Sequence, residues 1–172
     1  KNVDFGGGLE RMAAARMDTP DVFLIDLFAS QRDVIARVSG KVYGENSAHT
    51  RAYRVILDHI RASTFLIADG ALPGNKDQGY FTRRMIRRAV RFGRDLDIHA
   101  SFTADVAGAV IDTYKEAYPE LEEKRGEIVS EMEKEETKFR KTLEQGMKEF
   151  EKVVAVSVEA GIVAGKPAFD LL

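Results

Sequence analysis

Between Asp77 and Asp95 the chain carries six arginines, Arg83, Arg84, Arg87, Arg88, Arg91 and Arg94, and no acidic side chain. At about 100° of rotation per helical residue, Arg83, Arg87, Arg91 and Arg94 fall on one stripe, with Arg84 and Arg88 flanking it. Met85, Ile86, Ala89 and Val90 supply most of the apolar side. A segment divided in this way has to lie on a core as a surface helix, its apolar face inward and its cations meeting either solvent or acid. Arginine grips phosphate well, because its planar fork donates two parallel hydrogen bonds and it never deprotonates. The stripe is therefore a candidate nucleic-acid surface. A second reading stays open on the same residues: arginine faces also pair with acidic helices of their own protein, and a strongly acidic helix is expected downstream.

Charge decides how such a surface could act. The net charge is −2 over 172 residues, so any attraction to nucleic acid has to come from local segregation of charge. That length is enough for one large domain or two small ones with a real core. The absence of cysteine excludes disulfides, thiol chemistry and cysteine-based zinc sites. No apolar run approaches the length of a membrane span and no signal peptide is visible, so the expectation is a soluble, cytoplasmic protein with no membrane partner. Lys1 is not an initiator methionine, and the chain reads as a piece of a longer protein.

The remaining segments read mostly as helices. Leu27, Val34, Ile35 and Val38 repeat at helical spacing until Ser39-Gly40 stops them. Over His49–Ala68, the residues Tyr53, Ile56, Leu57, Ile60, Ser63, Thr64 and Ile67 form a stripe to be buried. Asp58-His59 within it looks like a catalytic pair, but neighbours on a helix point about 100° apart and no nucleophile accompanies them, so a packed histidine is expected. Pro73-Gly74 signals a turn, and Asn75 suits either a turn or, beside an arginine helix, a nucleic-acid groove, since its amide both donates and accepts. Val106, Val110, Ile111 and Tyr114 predict a helix over Thr103–Ala117. From Pro119 to about Val156 a single long helix is expected, weakened but not stopped by Gly126 and Gly146. Its apolar series runs Leu121, Ile128, Met132, Phe139, Leu143, Met147, Phe150 and Val154, and the pairs Glu120–Lys124, Glu136–Arg140 and Glu144–Lys148 have i, i+4 spacing. It reads as a bundle helix with a solvated outer face rather than a coiled coil.

Asn2–Met12 reads NVDFGGGLERM. Val3 and Phe5 could close a strand, and three glycines permit a tight turn into a helix beginning at Leu9. This resembles the third signature motif of class II aminoacyl-tRNA synthetases, a strand–helix unit of the form G-x-G-apolar-E-R. The resemblance implies that Arg11 contacts ATP phosphates, with Gly6 and Gly8 allowing the close backbone approach. Phe5 and Gly7 depart from the family's commoner Thr and Met.

Further along, YRVILDHIRASTFLIADGALPGNKDQGYFTRRMIRRAVRFG is similar to the central region of alanyl-tRNA synthetases. The residues that carry the likeness are Arg54, Asp58-His59, Arg61, Phe65 through Gly70, Pro73, Asn75, Gly79-Tyr80, Arg83-Arg84 and Arg87-Arg88-Ala89. What the resemblance implies is a parent enzyme that ligates alanine to tRNA(Ala) using ATP and Mg²⁺. The part in hand would bind the acceptor stem, which that family identifies by a G·U wobble pair. Asn75 would be one reader of the pair, with Arg83, Arg84, Arg87, Arg88 and Arg91 as backbone contacts. A-form RNA exposes a wide, shallow minor groove, where a loop amide can reach base edges. The family's second reader is an aspartate that follows an A-F-x-L stretch, and the chain stops just short of it, with Asp170 at a different position.

The expected fold is mainly α: a helical bundle with one long C-terminal helix, preceded by the strand–helix remnant of a class II catalytic domain. The expected division is 1–44 for that remnant with its connecting helix and 45–172 for the helical tRNA-recognition domain. The other two class II motifs and the editing domain are missing, so this part alone is expected to be inactive in aminoacylation, to hold no metal and no cofactor of its own, and to bind no DNA. Alternatives are a stand-alone helical RNA-binding module, or a scaffold whose arginines pair internally.

Overall fold

A computed structural model of the chain describes residue 2 and residues 6–160, with side chains through residue 154. Its elements are α1 (Leu9–Arg16), two 3-10 turns (Val22–Leu24 and Asp26–Phe28), α2 (Ala29–Ser39), α3 (Ser47–Ala68), α4 (Asp77–Arg94), α5 (Thr103–Tyr114), α6 (Pro119–Glu123) and α7 (Arg125–Ala160).

α3 is the axis of the bundle and packs against α2, α4, α5, α6 and α7. Asn46 starts it, accepting a hydrogen bond from His49 N at 2.8 Å, which satisfies one of the free donors of the first turn. Gly70 stops it: at φ +87 it takes the left-handed conformation that lets Gly70 N and Ala71 N turn back onto the carbonyls of Ile67 and Leu66. Every residue of the predicted stripe, Tyr53 through Ile67, is buried. Ile86, Ala89 and Val90 of α4 meet it, as do Val106 and Ile111 of α5 and Ile128 and Met132 of α7 within the same core. Gly93 permits a close approach of α4 to the Phe102 ring, since a Cβ there would stand 2.6 Å from it.

Two expectations are corrected. Among the described residues there is no strand, so the expected strand–helix remnant of a catalytic domain is not found there; only its helix forms, as α1, tied to α3 by an ion pair from Glu10 to Arg61 at 2.9 Å. Val3 and Phe5, and likewise the whole stretch 161–172 with Asp170, lie outside the described residues. The long helix is also not continuous from Pro119. Lys124, at φ −101 and ψ 11, separates α6 from α7, and its ammonium donates to the Ala68 carbonyl. That carbonyl is near the end of α3, where acceptors are left over and a cation is favoured. The long-helix reading otherwise holds, because α7 runs 36 residues through both glycine positions.

Candidate nucleic-acid interface

The arginine segment folds as α4, and the structure divides its cations into two sets. Arg83 and Arg87 are half-buried under α7, where both meet the carboxylate of Glu135, itself 4% exposed. Arg87 Nε donates to Glu135 Oε1 at 2.6 Å, and Arg83 Nε lies 3.3 Å from Oε2 without the alignment of a hydrogen bond. The Arg87 guanidinium also sits 5.1 Å from the centroid of Phe139, one turn further along α7. These two arginines follow the internal-pairing reading.

Arg84, Arg88, Arg91 and Arg94 are exposed. Among the described residues none of them forms an ion pair. Arg84, Arg88 and Arg91 succeed one another at i, i+4 and i+7, so they share one stripe about 10 Å long at 1.5 Å per residue. A groove of about 420 Å³ separates this stripe from α7 and is lined by Tyr80, the paired arginines and Phe139.

The loop before α4 is braced from both sides. Gly74 N donates to Gly79 O at 2.9 Å, and Thr82 Oγ1 donates to Ala71 O at 2.8 Å. A Cβ on Gly79 would come within 2.4 Å of Leu72 O and 3.0 Å of Gly74 N, so this position has no room for a side chain. Asp77 then enters α4 at φ +49. At the crest of the loop Asn75 is exposed, and its Oδ1 accepts from the guanidinium of Arg83. Arginine has no acceptor, so it fixes which way the amide faces. The oxygen is engaged, and the two N–H donors of Nδ2 have no protein acceptor among the described residues. Glu135 holds Arg83 and Arg83 holds Asn75, so a buried carboxylate on α7 orients a donor at the tip of a loop.

The other predicted residues lie apart from this surface. Gly6 and Gly8 precede α1, and Arg11 is exposed in its first turn, with no hydrogen bond or ion pair from its side chain among the described residues. Glu10 does not join Arg11 but faces inward. Its partner Arg61 also donates to the Tyr114 hydroxyl at 3.1 Å and lies 4.7 Å from the Phe28 centroid. Asp58 and His59 contact each other at 2.9 Å, and that hydrogen bond holds the Asp58 carboxyl below its ordinary range. Among the described residues no nucleophile is hydrogen-bonded to this pair. Among the described residues no three His, Asp or Glu side chains are gathered to hold a metal, and no helix is long and apolar enough to cross a membrane.

Sequence reasoning missed Glu135. The available signal was that Arg83 and Arg87, four apart, match a carboxylate delivered from outside the helix.

Comparison with known proteins places the chain in a family. The family model described as tRNA synthetases class II (A) matches residues 1–172. An alanine–tRNA ligase of Natranaerobius thermophilus is 44% identical over 86% of the chain, and one of Pelotomaculum thermopropionicum is 42% identical over 99%. One of Staphylococcus saprophyticus is 41% identical over 99%. The chain spans 17% to 20% of the length of these relatives. The chain belongs to the class II (A) tRNA synthetases, the family of the alanine–tRNA ligases.

Proposed function

We propose that this chain is the acceptor-stem-recognition part of an alanine–tRNA ligase, a parent protein that joins alanine to tRNA(Ala) in the cytoplasm at the expense of ATP. The observation that carries the reading is the exposed stripe Arg84, Arg88 and Arg91, free of carboxylate partners, running from a loop whose asparagine presents N–H donors. Cations left unpaired on one helix face suit a polyanion, and an oriented amide donor suits the acceptors that an RNA minor groove displays. Arg83 and Arg87 act here chiefly as supports for the loop and for α7, not as primary phosphate contacts.

Gly6, Gly8 and Arg11 are proposed to serve ATP in the parent. An exposed, unpaired arginine at a glycine turn suits one phosphate contact, and the rest of a nucleotide site has to come from elsewhere in the parent. The residues described here do not fit a magnesium site, so the protein ligands of a metal accompanying ATP are assigned to the remainder as well. Residues 1–44 would then belong with the catalytic part and 45–172 with recognition, the Glu10–Arg61 pair joining them.

The test is binding of an acceptor-stem duplex carrying G·U or G·C at the recognition pair, for the wild type and Asn75→Ala. Salt-dependent binding that prefers G·U, with the preference lost in the variant, is the expected result. Binding that falls equally for both duplexes in Asn75→Ala would assign the loop to backbone contact alone.

A further inference from the structure

The free arginines of α4 are not alone at their far end. α3 and α4 form a hairpin, which brings the first turn of α3 beside the last turns of α4. There Arg51 joins Arg88 and Arg91 around one aromatic ring: their guanidinium carbons lie 5.8, 5.9 and 5.4 Å from the centroid of Phe92. Phe92 is buried, whereas all three arginines are exposed. They line a cleft of about 500 Å³ with Ser47 and Asp95 at its edge. Asp95 forms no ion pair among the described residues, and neither does any of the three arginines.

All three guanidinium carbons sit within 6 Å of the same ring centroid, so no two are more than about 12 Å apart, a distance on the order of the Debye length at physiological salt, and they repel one another. Within a protein such charges are ordinarily offset by acids, as Glu135 offsets Arg83 and Arg87 on the other flank of the same helix. Here the fold holds the stems against a ring and leaves the forks unpaired, which fixes their position without using their donors. An anion is what completes such a cluster, and bidentate guanidinium donation selects phosphate or carboxylate oxygens.

We infer that Arg51, Arg88 and Arg91 form a phosphate clamp on Phe92 that holds the RNA backbone at the end of α4 opposite the Asn75 loop. The inference rests on the acceptor-stem reading and adds to it a residue from a different helix. Asp77 and Arg91 are about 20 Å apart along α4 at 1.5 Å per residue. The protein would therefore grip the stem at two places, a loop that reads and a clamp that positions. A positioning contact carries no sequence information of its own.

The experiment measures stem-duplex affinity across a salt series for the wild type, Arg51→Gln and Arg51→Lys, using both the G·U and the G·C duplex. For Arg51→Gln the expected result is a several-fold loss that is equal for the two duplexes, with a log–log salt slope shallower by about one. Arg51→Lys should keep most of the slope, and melting temperatures should match the wild type because the side chain is exposed. Wild-type binding with a steep slope that Arg51→Gln leaves unchanged would overturn the clamp while leaving the acceptor-stem reading intact. A wild type without salt-dependent binding would overturn that reading and the clamp together.

Discussion

Asp21 illustrates how single residues hold the early part of the chain in place. Its carboxylate accepts from Phe23 N at 3.1 Å, from Arg54 Nη2 at 2.8 Å and from the Tyr43 hydroxyl. Burial by itself would raise the carboxyl, but the hydrogen bonds from Tyr43, Arg54 and Phe23 outweigh it and hold it below its ordinary value. Because the folded value is the lower one, the stabilisation is complete above the unfolded value of about 3.9 and is lost as pH falls through the folded value. Arg54→Gln should thus lower the melting temperature at pH 7, by the equivalent of at most about 1 kcal/mol given the exposure of Arg54. The variant and wild-type curves should converge as pH falls below about 4, and parallel curves over that range would rule out the linkage. Arg54 was legible in the sequence as part of a family pattern, but not as a partner of Asp21, because the two are 33 positions apart and no periodicity connects them.

Among the elements, α7 behaves differently along its length. Its first half buries Ile128 and Met132, and Phe139 and Leu143 pack partly against the core. Beyond Leu143, Met147, Phe150 and Val154 of the predicted apolar series are exposed. Of the three expected i, i+4 ion pairs, Glu136–Arg140 alone appears, at 2.7 Å. It is no surface pair, since Glu136 is fully buried. There its Oε2 accepts from Thr103 N at 2.9 Å and from Thr103 Oγ1 at 2.6 Å, capping the start of α5 from another helix. Arg140 in turn donates to the carbonyls of His99 and Ala100 at 3.0 and 2.6 Å. Removing a buried carboxylate from such a network costs about 3–5 kcal/mol. In a chain of this size Glu136→Ala should therefore lower the melting temperature by about 6–20 °C. Glu136→Gln, which keeps an acceptor for Thr103, should lose clearly less, and equal losses would show that capping contributes nothing. The helices themselves were readable because their apolar spacing is local. Position within the bundle was not, since the same i, i+3, i+4 pattern describes both the packed and the exposed half of α7.

At the scale of the whole molecule, the protein separates cations that look alike in the sequence. Helical spacing correctly puts the arginines of α4 on one side of it, and it correctly buries Ile86, Ala89 and Val90. It does not say that α7 crosses over Arg83 and Arg87 and leaves Arg84, Arg88 and Arg91 uncovered, because that depends on a helix about 50 residues away. Among the described residues there is no strand near Gly6 and Gly8, whereas the helix expected from Leu9 forms as α1 and docks through Glu10. On the function proposed above, the uncovered set binds RNA and the covered set supports the scaffold. The measurement that tests it most directly is the salt dependence of stem-duplex binding for Arg84→Gln/Arg88→Gln/Arg91→Gln beside Arg83→Gln/Arg87→Gln, with a melting curve for each. The triple variant should melt like the wild type and show a salt slope shallower by about two to three. The double variant should melt lower and keep most of the slope. A triple variant that keeps the wild-type slope, with the loss appearing in the double variant instead, would contradict the account.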